Sequence, residues 1–228
     1  MRSWPIAVLA LWAGAVAGQE APRPGDASAA LKLRVEGHVL HYDTVAVPEA
    51  LQDISGADVD LFRRALRDNP QVTLVQLNSY GGEVEAARDM ADLVRERQLD
   101  TRVEGTCDSA CPILFLAGRN RSLAPEGRIG FHRFTWDVDS IRDFYDQNAR
   151  DLDWGDPHEL SSWLYEDTQA EVYEHLAYML SRGVDPVFAI QTLRQDSTGM
   201  WYPPRALLMA AGVLTRLAPG SEDGKDRE

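Results

Sequence analysis

The chain of 228 residues carries 36 acidic against 23 basic side chains, a formal charge of −13, with 44% hydrophobic residues. That length and apolar content support one domain of ordinary size with a core of its own. The acidic balance and the absence of any basic run exclude a nucleic-acid partner, which needs a clustered basic face.

The N-terminus reads as a secretory signal peptide over residues 1–17. Arg2 supplies the positive end, Trp4 to Ala17 the apolar run, and Ala15-Val16-Ala17 a small-residue cleavage site ahead of polar Gln19-Glu20. The alternative is an uncleaved anchor, but the run is short against the roughly 20 residues of a full span. No later run is long enough to cross a bilayer. The expectation is a periplasmic or secreted protein with no stable membrane anchor after cleavage, since no eukaryotic lipidation or retention signal is present. Residues 18–30, rich in Pro, Ala and Gly, form a flexible lead; the domain occupies 31–217; the charged, Gly- and Ser-containing tail 218–228 is disordered.

Within the domain, alternating apolar and polar residues from Leu31 to Gly37 predict a strand. His38 and His41 are surface histidines, because on a strand they would face opposite ways and not share a metal. Ser55 is a helix N-cap, with Val59, Phe62, Ala65 and Leu66 on one face and Asn69-Pro70 as the stop. A buried strand from Val72 to Leu77 runs into Asn78-Ser79-Tyr80-Gly81-Gly82. The glycine pair is either a simple turn or a place where the backbone takes positive φ and closely approaches a ligand. A helix follows from Glu83 to Arg97, burying Ala86, Ala87, Met90 and Val94. The unit then repeats: a strand from Thr101 to Gly105, an apolar helix from Ser109 to Ala117, and a third strand from Arg128 to His132. Strands alternating with helices over short loops predict an α/β fold with parallel strands. Further helices are expected over Glu171–Arg182, from Asp185-Pro186 to Leu193, and over Pro204–Ala211.

Ser109 stands between Cys107 and Cys111, where a strand turns into a helix. It is either a plain N-cap or a nucleophile whose neighbouring free N–H groups favour an oxyanion. His132 closes the third strand, and a serine hydroxyl needs such a base to become nucleophilic. The two cysteines, in an oxidising compartment, are either a disulfide locking the turn or two small buried thiols. No metal-ligand set stands near them, and no metal is expected.

Asn78-Ser79-Tyr80-Gly81-Gly82, then a helix start with Ser109 between small neighbours, then Gly130-Phe131-His132 resembles the Clp-protease and crotonase superfamily, nearer its serine peptidase branch. The likeness covers roughly residues 70 to 135, with a weaker echo near 200 to 214. It implies a superhelix of repeated β-β-α units. It assigns Ser109 as nucleophile and His132 as base, with Gly81, Gly82 and Ala110 around the oxyanion hole. The family's third residue precedes the last strand–helix unit, which matches Asp196 here; Asp185, Ser197 and Thr198 fit nearly as well. No cofactor is implied. Cytosolic members of the family work with an ATP-driven unfoldase. An exported protein lacks ATP, so the resemblance implies an ATP-independent hydrolase for short or unfolded peptide and protein substrates.

Residues 136–171 depart from the family pattern. In similar peptidases the matching region is a handle helix that builds oligomer contacts. Here Asp137, Asp139, Asp143, Asp146, Asp151, Asp153 and Asp156 disfavour stacking of two copies, although a homo-oligomer is not excluded. An amphipathic helical pair with a solvated acidic face is the expected form. Two other readings are a catalytically inactive scaffold that binds a peptide or envelope partner, and an acyl-CoA enzyme. The second is disfavoured because an exported protein seldom meets CoA.

Overall fold

Alternating burial shapes the first two strands of the computed structural model, which describes residues 31–136, 138–149 and 156–215. The signal-peptide segment, the lead 18–30, the tail 218–228, and Asp137, Asp151 and Asp153 lie outside the described residues. Strands β1 (Leu33–Glu36) and β2 (Val39–Asp43) form an antiparallel hairpin. Leu40 and Tyr42 of β2 turn inward while His41 between them stays partly exposed, as a period of two requires. Helix α1 (Gly56–Asp68) starts at Ser55, which forms a capping box with Asp58 and buries Val59, Phe62 and Leu66.

The remaining strands are parallel. Strand β3 (Leu74–Ser79) pairs with β2 and with β4 (Asp100–Asp108), and helix α2 (Val84–Glu96) crosses between them. Helix α3 (Cys111–Leu116) follows β4; then β5 (Arg121–Leu123) and β6 (Arg128–Gly130) both pair with β4. The sheet order is β1-β2-β3-β4-β5, with β6 beside the far end of β4. The core lies between the sheet and its helices: Val75, Leu77 and Val103 meet Ala87, Met90 and Val94 of α2 and a wholly buried Leu114-Phe115-Leu116 of α3. So apolar a helix needs burial on most sides, and it has it.

Strand β4 runs three residues past the expected end at Gly105. Register with β3 shifts between Leu77↔Val103 and Ser79↔Cys107. Asn78 fills the irregularity: its Oδ1 accepts from the Thr106 N–H at 3.0 Å, in space that a side chain on Gly105 would occupy. The extra pairing carries β4 up to Asp108, so the helix begins later than Ser109.

Helix α4 (Val138–Asn148) and the long α5 (Pro157–Ser181) make an arm beside this sheet. Asp156 caps α5, accepting from the N–H groups of His158 and Glu159. The helix therefore starts fourteen residues before Glu171, the expected start. Only Leu160, His175 and Met179 are buried along it, so its first half lacks the apolar stripe that sequence reading relies on. The arm packs internally through rings: Trp136 and Trp163 flank Phe144, with centroids 5.4 and 5.5 Å away. Helices α6 (Pro186–Thr192, capped by Asp185) and α7 (Arg205–Ala210) are the last among the described residues. No described helix is long and apolar enough to cross a membrane.

Candidate active site

The turn from β4 into α3 is pinned on both sides. Cys107 and Cys111 form a disulfide, both wholly buried, with Ser109 between them. Ser109 has φ +60°, a left-handed conformation rarely adopted by a residue with a side chain. Its N–H donates to the Gly130 carbonyl at 3.2 Å. It is not the cap of α3: Ala110 takes that position, without a side-chain cap bond. The hydroxyl is thereby left for other use.

That use is His132. Pairing of β4 with β6 (Cys107↔Ile129, Asp108↔Gly130) carries the chain on to His132 beside the serine turn. Ser109 Oγ and His132 Nε2 are 2.8 Å apart, and His132 Nδ1 is 2.7 Å from the Arg133 carbonyl. A carbonyl only accepts, so Nδ1 carries the ring proton, and Nε2 keeps the lone pair that accepts from the serine hydroxyl. Both side chains are partly exposed and open to a substrate.

The two glycines have different tasks. Gly81 has φ +103° and Gly82 φ +141°. A methyl group on Gly81 would lie 2.6 Å from Ser109 Cβ and 3.0 Å from the Ala110 nitrogen, so only glycine lets this backbone press against the serine turn. The Gly81 N–H is spent on the buried Ser79 hydroxyl at 3.1 Å. Gly82 forms a bridge with Ile54, through Ile54 N–H to Gly81 O at 2.7 Å and Glu83 N–H to Ile54 O at 2.9 Å. Among the described residues the N–H groups of Gly82 and Ala110 have no hydrogen-bond acceptor.

Asp196 lies in the neighbouring segment: Arg133 N–H donates to Gln195 O, and Phe131 and Trp201 exchange main-chain bonds, each at 2.9 Å. Its carboxylate, however, is exposed and accepts from the Thr198 hydroxyl at 2.6 Å and the Thr198 N–H at 3.1 Å. Those two bonds hold the carboxyl below its ordinary range. No hydrogen bond joins Asp196 to His132 among the described residues; the ring's outer nitrogen is taken by the Arg133 carbonyl. The alternative Asp185 caps α6, accepting from Phe188 N–H at 2.9 Å, and Thr198 is Asp196's own partner.

The sequence reading did not single out Asp108, next to Ser109. It is buried, and Tyr202 OH donates to its Oδ2 at 2.9 Å. Burial pushes its carboxyl up, against the pull of Thr106, Tyr202, Arg128 and His132. A carboxylate in an otherwise small and apolar turn was the signal available. No group of residues suited to hold a metal ion occurs among the described residues.

No protein-family profile and no curated protein sequence matches the chain. Solved structures do. A ClpP1 mutant from Listeria monocytogenes is similar over 73% of this chain and 86% of its own, at 14% identity and a TM-score of 0.50. Two mutants of the 1510-N membrane-bound stomatin-specific protease, one in complex with a substrate peptide, are similar over 73% of this chain and 75% and 71% of theirs. Their identities are 13% and 15%, and both TM-scores are 0.48. The chain shares a Clp-protease-like α/β fold with the Listeria structure.

Proposed function

We propose that this protein, built on a Clp-protease-like fold, is an exported serine hydrolase that cleaves peptide bonds. The observation that carries the reading is the 2.8 Å hydrogen bond from Ser109 Oγ to His132 Nε2, at a serine with φ +60°. In this mechanism Ser109 Oγ attacks the scissile carbonyl carbon while its proton passes to Nε2. The negative oxygen so formed is held by the N–H groups of Gly82 and Ala110, each worth about 3 kcal/mol in comparable sites. Gly81 brings the two donors together and donates nothing itself. His132 then returns the proton to the leaving amine, and water hydrolyses the acyl-enzyme by the same route reversed. No nucleotide or metal enters any step. Export is supported by the signal-like segment at residues 1–17 and by the disulfide, which persists in an oxidising compartment. Peptide as the substrate class is supported by the fold shared with the Listeria protease.

The test is labelling by a fluorophosphonate probe of the mature protein beside Ser109→Ala and His132→Ala. The expected result is stoichiometric labelling of the wild type and none of either variant. A folded wild type that takes no label sinks the reading in favour of a peptide-binding scaffold.

A further inference from the structure

A serine–histidine pair works faster when a negative charge compensates the imidazolium that forms as the serine proton arrives. Asp196 is exposed and committed to Thr198. Another carboxylate lies closer to the chemistry and has not been given a task. Asp108 is 4% exposed and directly precedes Ser109. Its Oδ2 accepts from Tyr202 OH, but its buried Oδ1 has no hydrogen-bond partner among the described residues.

That unpartnered oxygen lies over Gly130, two residues before His132: a side chain on Gly130 would come within 2.5 Å of Asp108 Oδ1 and 2.7 Å of the Tyr202 ring. The groups that face Asp108 are few. Tyr202 approaches from the segment after Gly199, Thr106 from β4 itself, Arg128 from β6 and His132 from the end of that strand. The Arg128 guanidinium is stacked 4.5 Å over the Tyr202 ring and donates to Thr106 Oγ1 at 3.3 Å, and among the described residues it forms no ion pair with Asp108. His132 itself faces Ser109 and Arg133, with Asp196 near Arg133 on the adjoining segment. A buried carboxylate oxygen without a donor is costly, and a neutral imidazole nearby does little to relieve it. An imidazolium there does relieve it, and the attraction acts through a poorly screened interior.

We propose that Asp108 is the positioning carboxylate of the Ser109–His132 pair, its buried negative charge stabilising the imidazolium formed when the hydroxyl proton moves to Nε2. The charge is compensated in the transition state and not in the resting enzyme, so the interaction accelerates the reaction without tightening substrate binding. Tyr202 holds one oxygen in place and leaves the other toward the histidine strand. Coupling of this kind is reciprocal: His132 protonated favours Asp108 ionised, and the converse. The proposal rests on the reading of His132 as the base.

The decisive variant is Asp108→Asn, which keeps an acceptor for Tyr202 and removes the charge. The first readout needs no turnover: the NMR titration of the His132 ring, assigned by its loss in His132→Ala. Its midpoint is expected to fall by about half a pH unit or more in Asp108→Asn. On a p-nitrophenyl ester, kcat is expected to drop about tenfold or more with KM changed less than about twofold, and the acid limb of the pH–rate profile moves to lower pH. If Asp108→Asn does not fold, the reciprocal measurement stands in its place: the 13C titration of the Asp108 carboxyl, expected to move to higher pH in His132→Gln. An unmoved His132 midpoint in folded Asp108→Asn, or an unmoved Asp108 carboxyl in His132→Gln, overturns the proposal; so does a midpoint that responds to Asp196→Asn instead. A wild type that takes no fluorophosphonate while its His132 midpoint still moves in Asp108→Asn ends the hydrolase reading and leaves this coupling standing.

Discussion

The serine turn and the acidic arm are built to opposite rules. Around the turn, a disulfide, a left-handed serine, two positive-φ glycines and a wholly buried α3 leave each atom one place to go. In the arm, α4 buries no residue and α5 buries only Leu160, His175 and Met179, so one face of each helix answers to water alone. Close packing transmits any added or missing atom to its neighbours, whereas a solvated face absorbs the change. Precision is concentrated where two side chains from different strands must meet within hydrogen-bond distance. Freedom of sequence is left to the solvated surface.

Substitutions can break that contrast or sharpen it. The largest effect is expected at the glycine pair. A methyl group on Gly82 would lie 2.3 Å from the Ile54 nitrogen at φ +141°, so Gly82→Ala is expected to cost at least about 3 kcal/mol in denaturant unfolding. Gly81→Ala, colliding with Ser109 Cβ, is expected to abolish fluorophosphonate labelling as well. A tolerated alanine at either position would show the turn to be softer than its close contacts require.

Next comes Arg121, 4% exposed behind α3 and held by the carbonyls of Val213, Gly118, Arg182 and Gly212, with Leu116 at the limit of reach. Burial lowers its guanidinium to about 10, which still leaves it charged at neutral pH. Arg121→Met leaves them unsatisfied, and a loss of about 3–5 kcal/mol is expected by chemical denaturation.

His175 tests the arm where it stops being free. It is buried against Phe134, ring centroids 5.0 Å apart, and desolvation lowers it to about 4. The unfolded chain takes up the proton near the ordinary histidine value of about 6.5 and the folded one only near 4, so stability is lost as pH falls through that window. The expected loss is on the order of 3 kcal/mol. In His175→Leu the stability curve flattens over the same range. An unchanged curve would mean that α5 is no better anchored at its buried end than at its exposed one.

Smaller still is the disulfide. Replacing Cys107 and Cys111 together by alanine opens a very short loop, for which chain entropy gives about 2 kcal/mol. Thermal unfolding with and without reductant measures it. Asp139→Ala is the smallest. Its partner Arg142 and it are 63% and 82% exposed respectively, and breaking such a pair is expected to change stability by less than about 0.5 kcal/mol. A larger effect would show that the arm is not the tolerant half.

Much of this architecture is legible in the sequence. Ser55 and Asp185 are caps in the structure because Ser and Asp side chains bond locally to the first free N–H groups of a helix. Ala86, Ala87, Met90 and Val94 are buried because a 3.6-residue period puts them on one face. The first half of α5 escaped notice because a helix surrounded by water carries no such stripe, and β4 outran its expected end because Asn78, from another strand, repaired the irregularity at Gly105.

The sequence by itself determined the α/β alternation, the glycine pair, and the placing of Ser109 and His132 just past the ends of two strands. These depend on residues within a turn or two of one another, where propensity and periodicity act. Only the tertiary structure decided that the two side chains meet, that Gly81 approaches the serine while Gly82 keeps a free N–H, and that Asp108 is buried beside them while Asp196 faces solvent. Those outcomes follow from β4 pairing with β6 and from the 195–201 segment lying along Phe131. A side chain's partner is fixed by which strands lie side by side, and that depends on burial summed over the whole sheet.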